Sequence, residues 1–224
     1  MKIHHSVGGK SETDKIINLI NQEGGQAIST PFDLSRNERI PDIFDLAEKE
    51  FGSVTTLINN AAHAEDNDTI EKFNIGVIDR TYAINVYAPI IMIQEFLKRF
   101  KKSKLKKGSI VNLSTDGAQY FAGQIHYGAS KAALEAYTRS LSIELGKYGI
   151  RINTIAPGPV HSGIPKSYIT PELEEKLIEN IPLGRCGQPT DIANTISFLV
   201  SEEADWITGQ VIQVDGGHSW GRCL

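Results

Sequence analysis

Apolar positions recur along this chain at two alternating periods. From Ser11 to Glu23, Ile16, Ile17, Leu19 and Ile20 fall on one helical face. Ser11 and Asp14 give a capping-box-like start, and Gly24-Gly25 a stop. Ala27 to Phe32 is strand-like, and Ile40, Ile43, Phe44, Ala47 and Phe51 again recur at helical spacing. Val54 to Ile58 is a short β-rich run ending in Asn59-Asn60-Ala61-Ala62. A long helix is expected from about Ile78 to Phe100, kinked at Pro89. Ser109 to Leu113 reads as a buried strand, His126 to Leu145 as a helix, and Arg151 to Ile155 as a strand stopped by Pro157-Gly158-Pro159. Asp191 to Val200 is helical, and Gln210 to Val214 is a last strand before Asp215-Gly216-Gly217.

Strands separated by helices of this length imply a parallel sheet covered on both faces. No repeat or linker splits the 224 residues, so the expected architecture is one doubly wound, Rossmann-like α/β domain over residues 1–224. In such sheets ligands sit beyond the carboxyl ends of the strands. The loops after Ile58, Leu113 and Ile155 are therefore the ones to inspect.

Composition narrows the function classes. A 40% hydrophobic, 22% charged chain can fold, and a net charge of -4 offers no global field to nucleic acid. The run Lys98 to Lys107, seven of ten residues Lys or Arg, reads as a solvated helix end rather than an anionic-partner patch. Two cysteines, Cys186 and Cys223, give neither a disulfide framework nor a zinc motif, and the six histidines lack metal-ligand spacing. No signal-peptide h-region or membrane-length apolar run occurs. The expectation is a cytoplasmic protein with no metal, nucleic-acid or membrane partner.

The chemistry is concentrated at Tyr127-Gly128-Ala129-Ser130-Lys131, opening a helix. Residues four apart share a helical face, so an ammonium lies beside a phenol. That cation is expected to lower the Tyr127 pKa and let it exchange a proton near neutrality. Ser114-Thr115-Asp116, after the preceding strand, can supply a hydroxyl for the reacting oxygen. Two look-alikes are set aside. Gly217-His-Ser-Trp-Gly221 has the nucleophile-elbow pattern without downstream partners. Gly9-Lys10-Ser11 ends like a P-loop, but His4 stands where its first glycine belongs.

Six motifs in order carry a resemblance: Asn59-Asn-Ala-Ala62, Gly108-Ser-Ile-Val-Asn-Leu-Ser114, Tyr127-Gly-Ala-Ser-Lys131, Arg151-Ile-Asn-Thr-Ile-Ala-Pro-Gly158, Pro182-Leu-Gly-Arg-Cys-Gly-Gln-Pro-Thr-Asp-Ile-Ala193 and Ile207-Thr-Gly-Gln-Val-Ile-Gln-Val-Asp-Gly-Gly217. From about residue 3 to 217 the chain resembles the short-chain dehydrogenase/reductases, of the 3-oxoacyl-carrier-protein-reductase type. The resemblance implies hydride transfer between NADP(H) and a small-molecule carbonyl or secondary alcohol. It makes Tyr127 the acid/base, Lys131 the residue that binds the nicotinamide ribose and lowers the tyrosine pKa, and Asn85 the holder of a relay water. Asp33 and Leu34 would contact the adenine end, Asn59 and Ala61 would line the cofactor path, and Val160 and Ser162 would meet the carboxamide and phosphate.

Bland roles compete. Asn59 and Asn60 could satisfy turn backbone, and Asn85 could relieve the bend before Pro89. Counting back from Tyr127 at the family's spacing selects Ser114 as the substrate-binding hydroxyl, and aligning the strand from Gly108 selects Thr115. Ser114 is preferred, with both kept open. Between Ile3 and Ser11 there is no acid to bind the ribose hydroxyls of NAD, whereas Lys10 and Ser11 suit a 2′-phosphate. NADP is thus favoured, with NAD as the alternative. The stretch Ser162 to Ile181, where the family sets its substrate, has no diagnostic pattern. A homotetramer or homodimer is the family's usual assembly.

One family element has no counterpart. The first strand, its glycine-rich phosphate loop and the first helix, roughly thirty residues, are absent, so the domain is expected to be N-terminally truncated. Since that loop and helix would hold the pyrophosphate, a catalytically impaired binding or oligomer-forming subunit is the competing expectation.

Overall fold

A computed structural model of the chain describes residues 2–4, 10–65, 68–72, 74–119, 121–161 and 170–221, the side chains of 2–4, 10–12, 119, 220 and 221 excepted. The order is β1 (Lys2–His4), α1 (Lys10–Gln22), β2 (Ala27–Ser29), α2 (Ile40–Phe51), β3 (Thr56–Asn59), α3 (Ile75–Tyr82), α4 (Ala88–Phe100), β4 (Gly108–Leu113), α5 (Ile125–Gly146), β5 (Ile150–Pro157), α6 (Pro171–Glu179), α7 (Pro189–Val200), β6 (Val211–Val214) and α8 (His218–Gly221). β3-β4-β5-β6 form a parallel sheet, with Leu57 opposite Ile110, Ile110 opposite Ile152 and Ile155 opposite Ile212. β1 pairs only with β2. Among the described residues no ladder joins β1 to β3, and β3 leaves Ile58 44% exposed at its edge.

The strand period of two sorts the core onto two faces. On β4, Ile110 points to one side, where Ile40 and Phe44 of α2, Ala88, Phe96 and Phe100 of α4, and Ile150 and Ile152 of β5 pack around it. Val111 and Leu113 point to the other, against Ile155, Leu199 and Ala204. Every residue of β4 is buried. Helices on both faces are what turn a continuous apolar run into a strand rather than a membrane span. No helix among the described residues is long and apolar enough to cross a membrane.

Two expectations need correction. The segment from Ile78 to Phe100 is not one continuous α-helix. Instead a π-helical segment, Ala83–Tyr87, separates α3 from α4, and Pro89 sits in the first turn of α4. Pro89 has no N–H to give the Asn85 carbonyl four residues earlier, so the ladder has to re-register there. The basic run is not wholly solvated either. Arg99 is 17% exposed on its side chain and bonds Glu95, Glu48 and Asp45 at 2.7, 2.6 and 2.7 Å, fastening α4 to α2. Lys107 pairs with Asp205, while Lys101, Lys102, Lys104 and Lys106 are exposed.

Candidate active site

The carboxyl ends of β3, β4 and β5 and the start of α5 converge on Tyr127 and Lys131. α5 begins at Ile125, and its first turn is capped from a distance. Asp68 Oδ2 accepts the N–H groups of His126 at 2.7 Å and Tyr127 at 3.1 Å. The Asp68 carbonyl takes the N–H of Ile125 at 3.1 Å. A carboxylate suits the positive end of a helix. Nothing in the spacing of residues 68 and 127 announced this contact, because it joins segments far apart in sequence.

One turn on, the Lys131 side chain runs inward and is 2% exposed. Its Nζ donates to the Leu113 carbonyl at 2.7 Å and lies 5.7 Å from the centre of the Tyr127 ring. Burial lowers the Lys131 pKa to about 8. The expected depression of the Tyr127 pKa is reversed: burial, and then the charge of Asp116, push it up to about 12. The shared helical face does bring cation and phenol together. Loss of water around the phenol outweighs the cation here, because burial disfavours any charged form. Phe121 meets the Tyr127 ring edge-on at 6.1 Å.

Asn85 lies in the π segment and is fully buried, with its side chain fully engaged. Its Oδ1 accepts the His63 N–H at 2.7 Å, and its Nδ2 donates to the His63 carbonyl at 2.8 Å and to Ser130 Oγ at 3.0 Å. Ser130 Oγ in turn donates to the Tyr127 carbonyl at 2.7 Å. Asn85 therefore bolts the loop after β3 to the first turns of α5.

The other expected residues fall at three places. Asn59 is buried at the end of β3, its Nδ2 donating to Asn112 Oδ1 at 2.8 Å. A polar chain continues from Asn112 to Thr138 and Thr154 at 2.9 and 2.8 Å. Ala61 is half-buried in the loop beyond. Asp33 is exposed and closes its own turn, accepting the Ser35 hydroxyl at 2.7 Å and the Ser35 N–H at 3.0 Å, bonds that hold its carboxyl below the usual range. Leu34 packs on the core instead of standing free. Val160, 6% exposed, bridges to Gly187 beyond β5, and Ser162 lies outside the described residues.

The two hydroxyl candidates part company. Ser114 Oγ donates to the buried Glu135 carboxylate of α5 at 2.7 Å. Thr115 Oγ1 accepts the Gly117 N–H at 3.3 Å in the turn leading to Tyr127. Beyond the expected set, the fold gathers His161 Nε2, a Glu174 oxygen and Cys186 Sγ within 4.8 Å of one another. Two of these are already paired, His161 to Glu174 at 2.8 Å. No interval in the sequence foretold the grouping, since α6, which carries Glu174, lies in the stretch that showed no pattern; Thr170 Oγ1 caps it at Leu173 N–H.

A family model described as enoyl-(acyl carrier protein) reductase matches residues 5–219. An uncharacterized oxidoreductase of Bacillus subtilis, YjdA, is 40% identical over 187 residues, 83% of this chain and 72% of that protein. Among solved structures, a 7α-hydroxysteroid dehydrogenase complexed with NADH and 7-oxo glycochenodeoxycholic acid superposes with a TM-score of 0.89 at 30% identity. The match covers 96% of this chain and 83% of the other. An angucycline C-6 ketoreductase, LanV, with bound NADP gives 0.86 at 29% identity, covering 96% and 84%.

Proposed function

Since the chain belongs to the short-chain dehydrogenase/reductase family, we propose that it is an NADP(H)-dependent ketoreductase in which Tyr127 exchanges the proton with the substrate oxygen. Oxidoreduction of a carbonyl or alcohol with a nicotinamide cofactor is the family's chemistry. The cofactor preference, the residue roles and the substrate are our reading. The observation that carries it is the Lys131 ammonium, buried 5.7 Å from the Tyr127 ring with the Leu113 carbonyl as its hydrogen-bond acceptor. A lysine buried without a carboxylate costs stability and is hard to explain as scaffolding.

The residues present fit the nicotinamide end of the cofactor. An ammonium has three donors; Lys131 uses one on Leu113 and can offer others to a ribose hydroxyl. The cofactor supplies or accepts the hydride. Tyr127, held protonated when no ligand is bound, is in the form that donates its Oη proton to a carbonyl oxygen gaining negative charge. The nearby cation stabilises the phenolate left behind. Asn85 keeps the loop after β3 and the first turns of α5 in one frame, which fixes where that proton is delivered. Both hydroxyls already donate to a carboxylate, Ser114 to Glu135 at 2.7 Å and Thr115 to Asp116 at 3.4 Å, so Thr115, with the longer bond, is the more readily freed to donate to the reacting oxygen. NADP follows from the absence of an acid between Ile3 and Ser11.

Among the described residues β1-β2 and β3-β4-β5-β6 form separate sheets, with no ladder between β1 and β3. A binding or oligomer-forming subunit is the second reading, favoured by that break. Exposed apolar residues on the long helix α5, Tyr137 at 45% and Ile143 at 82%, suit packing of copies into a dimer or tetramer, which light scattering measures. Titration with NADPH followed by protein fluorescence separates the readings: saturable binding supports the reductase, and folded protein that never saturates refutes it.

A further inference from the structure

Two more ionisable side chains are buried around Tyr127, and neither belongs to the machinery described so far. Asp116 opens the 3-10 turn Asp116–Gln119 after β4, and His218 opens α8. His218 Nδ1 and Asp116 Oδ2 are 2.5 Å apart, their side chains 4% and 7% exposed. The contact spans 102 positions and ties the C-terminal segment to the turn that precedes the tyrosine.

The approach of His218 is itself built. Asp215 accepts the Gly217 N–H at 2.9 Å and the Ser219 N–H and hydroxyl at 2.8 and 2.6 Å, which caps the turn. Gly216 and Gly217, at φ 65° and 89°, lie in the left-handed region and reverse the chain. His218 thereby points back under the catalytic loop. We propose that His218 and Asp116 are a positioning pair for Tyr127: the imidazole holds the Asp116 carboxylate in the wall facing the phenol, so that proton exchange at Tyr127 depends on the C-terminal segment being docked.

The charges facing Tyr127 are few. α5 contributes Lys131 and His126, the loop before α3 contributes Asp68, the turn after β4 contributes Asp116, and α8 contributes His218. Of these, Asp68 is engaged with the backbone of His126 and Tyr127. The turn Asp116–Gln119 packs on the first turn of α5, where a Cβ on Gly128 would meet the Gly117 carbonyl at 3.3 Å, and from there the Asp116 charge, after burial, opposes ionisation of the phenol. His218 bonds Asp116, and its proposed role toward the phenol is positional.

This inference rests on Tyr127 as the acid/base, and the test therefore reads the phenol and not turnover. In the full chain, stopped-flow jumps to alkaline pH are followed by tyrosinate absorbance before unfolding, and the Tyr127→Phe trace is subtracted to remove the other six of the seven tyrosines. Asp116→Asn should lower the Tyr127 midpoint by about one pH unit, a tenfold change in acidity. His218→Ala, which frees the carboxylate to turn toward water, should lower it in the same direction. His218→Gln, which can still donate to Asp116, should restore most of the wild-type value, and the Asp116→Asn/His218→Ala double variant should move no further than Asp116→Asn alone. If circular dichroism shows His218→Ala unfolded, His218→Asn, whose amide is too short to reach, is read instead with the same expectation. An unmoved midpoint in Asp116→Asn, or effects of the two sites that simply add, overturns the proposal. Shifts as described in a protein that never turns over would retire the reductase reading and leave the pairing intact.

Discussion

Replacing Lys131 by Met should stabilise this protein at neutral pH, and the gain should vanish in alkali. Lys131 is 2% exposed, and burial lowers its pKa from 10.5 to about 8. A cation whose pKa is depressed in the fold weakens the fold while both folded and unfolded chains hold the proton. The penalty lifts as pH rises from about 8 toward the unfolded value, where the folded chain releases its proton first. At about 1.4 kcal/mol per pH unit, the ammonium costs about 3 kcal/mol at pH 7 and under about 1 kcal/mol at pH 10. Methionine fills a similar volume without charge but abandons the Leu113 carbonyl, an orphaned acceptor worth about 1 kcal/mol. The net expectation is a variant more stable by about 2 kcal/mol at pH 7 and no more stable at pH 10. Urea unfolding of both proteins across that range, with the m-value checked for constancy, reads the difference directly. The Tyr127 phenol is common to both chains and largely cancels. A gain that does not depend on pH, or a loss at pH 7, would refute the claim that a desolvated ammonium sits there.

Further outcomes follow from the same geometry. Tyr127→Phe should leave NADPH affinity within about twofold and reduce turnover by at least the 10²–10⁴-fold of a lost proton donor, measured by fluorescence titration and NADPH absorbance. Thr115→Val should impair turnover and cost about 1 kcal/mol for its two long hydrogen bonds, whereas Ser114→Ala should cost about 1–3 kcal/mol, because it strips a partner from buried Glu135, with turnover little changed; the opposite kinetic split, read beside urea unfolding, would assign the substrate hydroxyl to Ser114. Asp68→Ala should cost about 1–2 kcal/mol by uncapping α5, and Asp68→Asn should recover most of it, as thermal unfolding will show. Arg99→Ala should cost about 1–3 kcal/mol because it breaks the ties to Glu48 and Asp45 of α2 and leaves buried Glu95 with Lys98 alone, while Lys104→Ala, at an exposed position in the same run, should stay within about 0.5 kcal/mol, both read by urea unfolding.

What the sequence made legible was set by local periodicity. The apolar face of α2 and the buried run of β4 each show in the spacing of their own residues. Tyr127 and Lys131 were found for the same reason, since one helical turn separates them. The parts that escaped are those fixed by distant segments. Asp68 caps α5 from 58 positions away, His218 meets Asp116 across 102, and Arg99 looks like one more lysine-rich position until α2 is laid beside it. The π segment followed from no propensity, although Pro89 marked the ladder as broken within a turn of the right place. Tyr127 shows the limit most plainly. A neighbouring cation is visible in sequence, but the burial that opposes it is a property of the whole fold.

The same contrast explains how the site can be both strained and ordered. Burial shifts both groups toward their neutral forms, Lys131 losing affinity for its proton and Tyr127 gaining it, and at neutral pH it leaves Lys131 a penalised cation. Around them the neutral groups are closely paired: Asn85 with His63 and Ser130, Asn112 with Asn59 and Thr138. A satisfied polar frame cannot relax to solvate the two titratable groups without breaking several hydrogen bonds at once. A ligand that brings hydroxyls to Lys131 and a polarisable oxygen to Tyr127 supplies the solvation that the frame withholds. Binding should therefore move both pKa values back toward their ordinary ones, and the site gains its proton-transfer capacity only when the substrate and cofactor complete it.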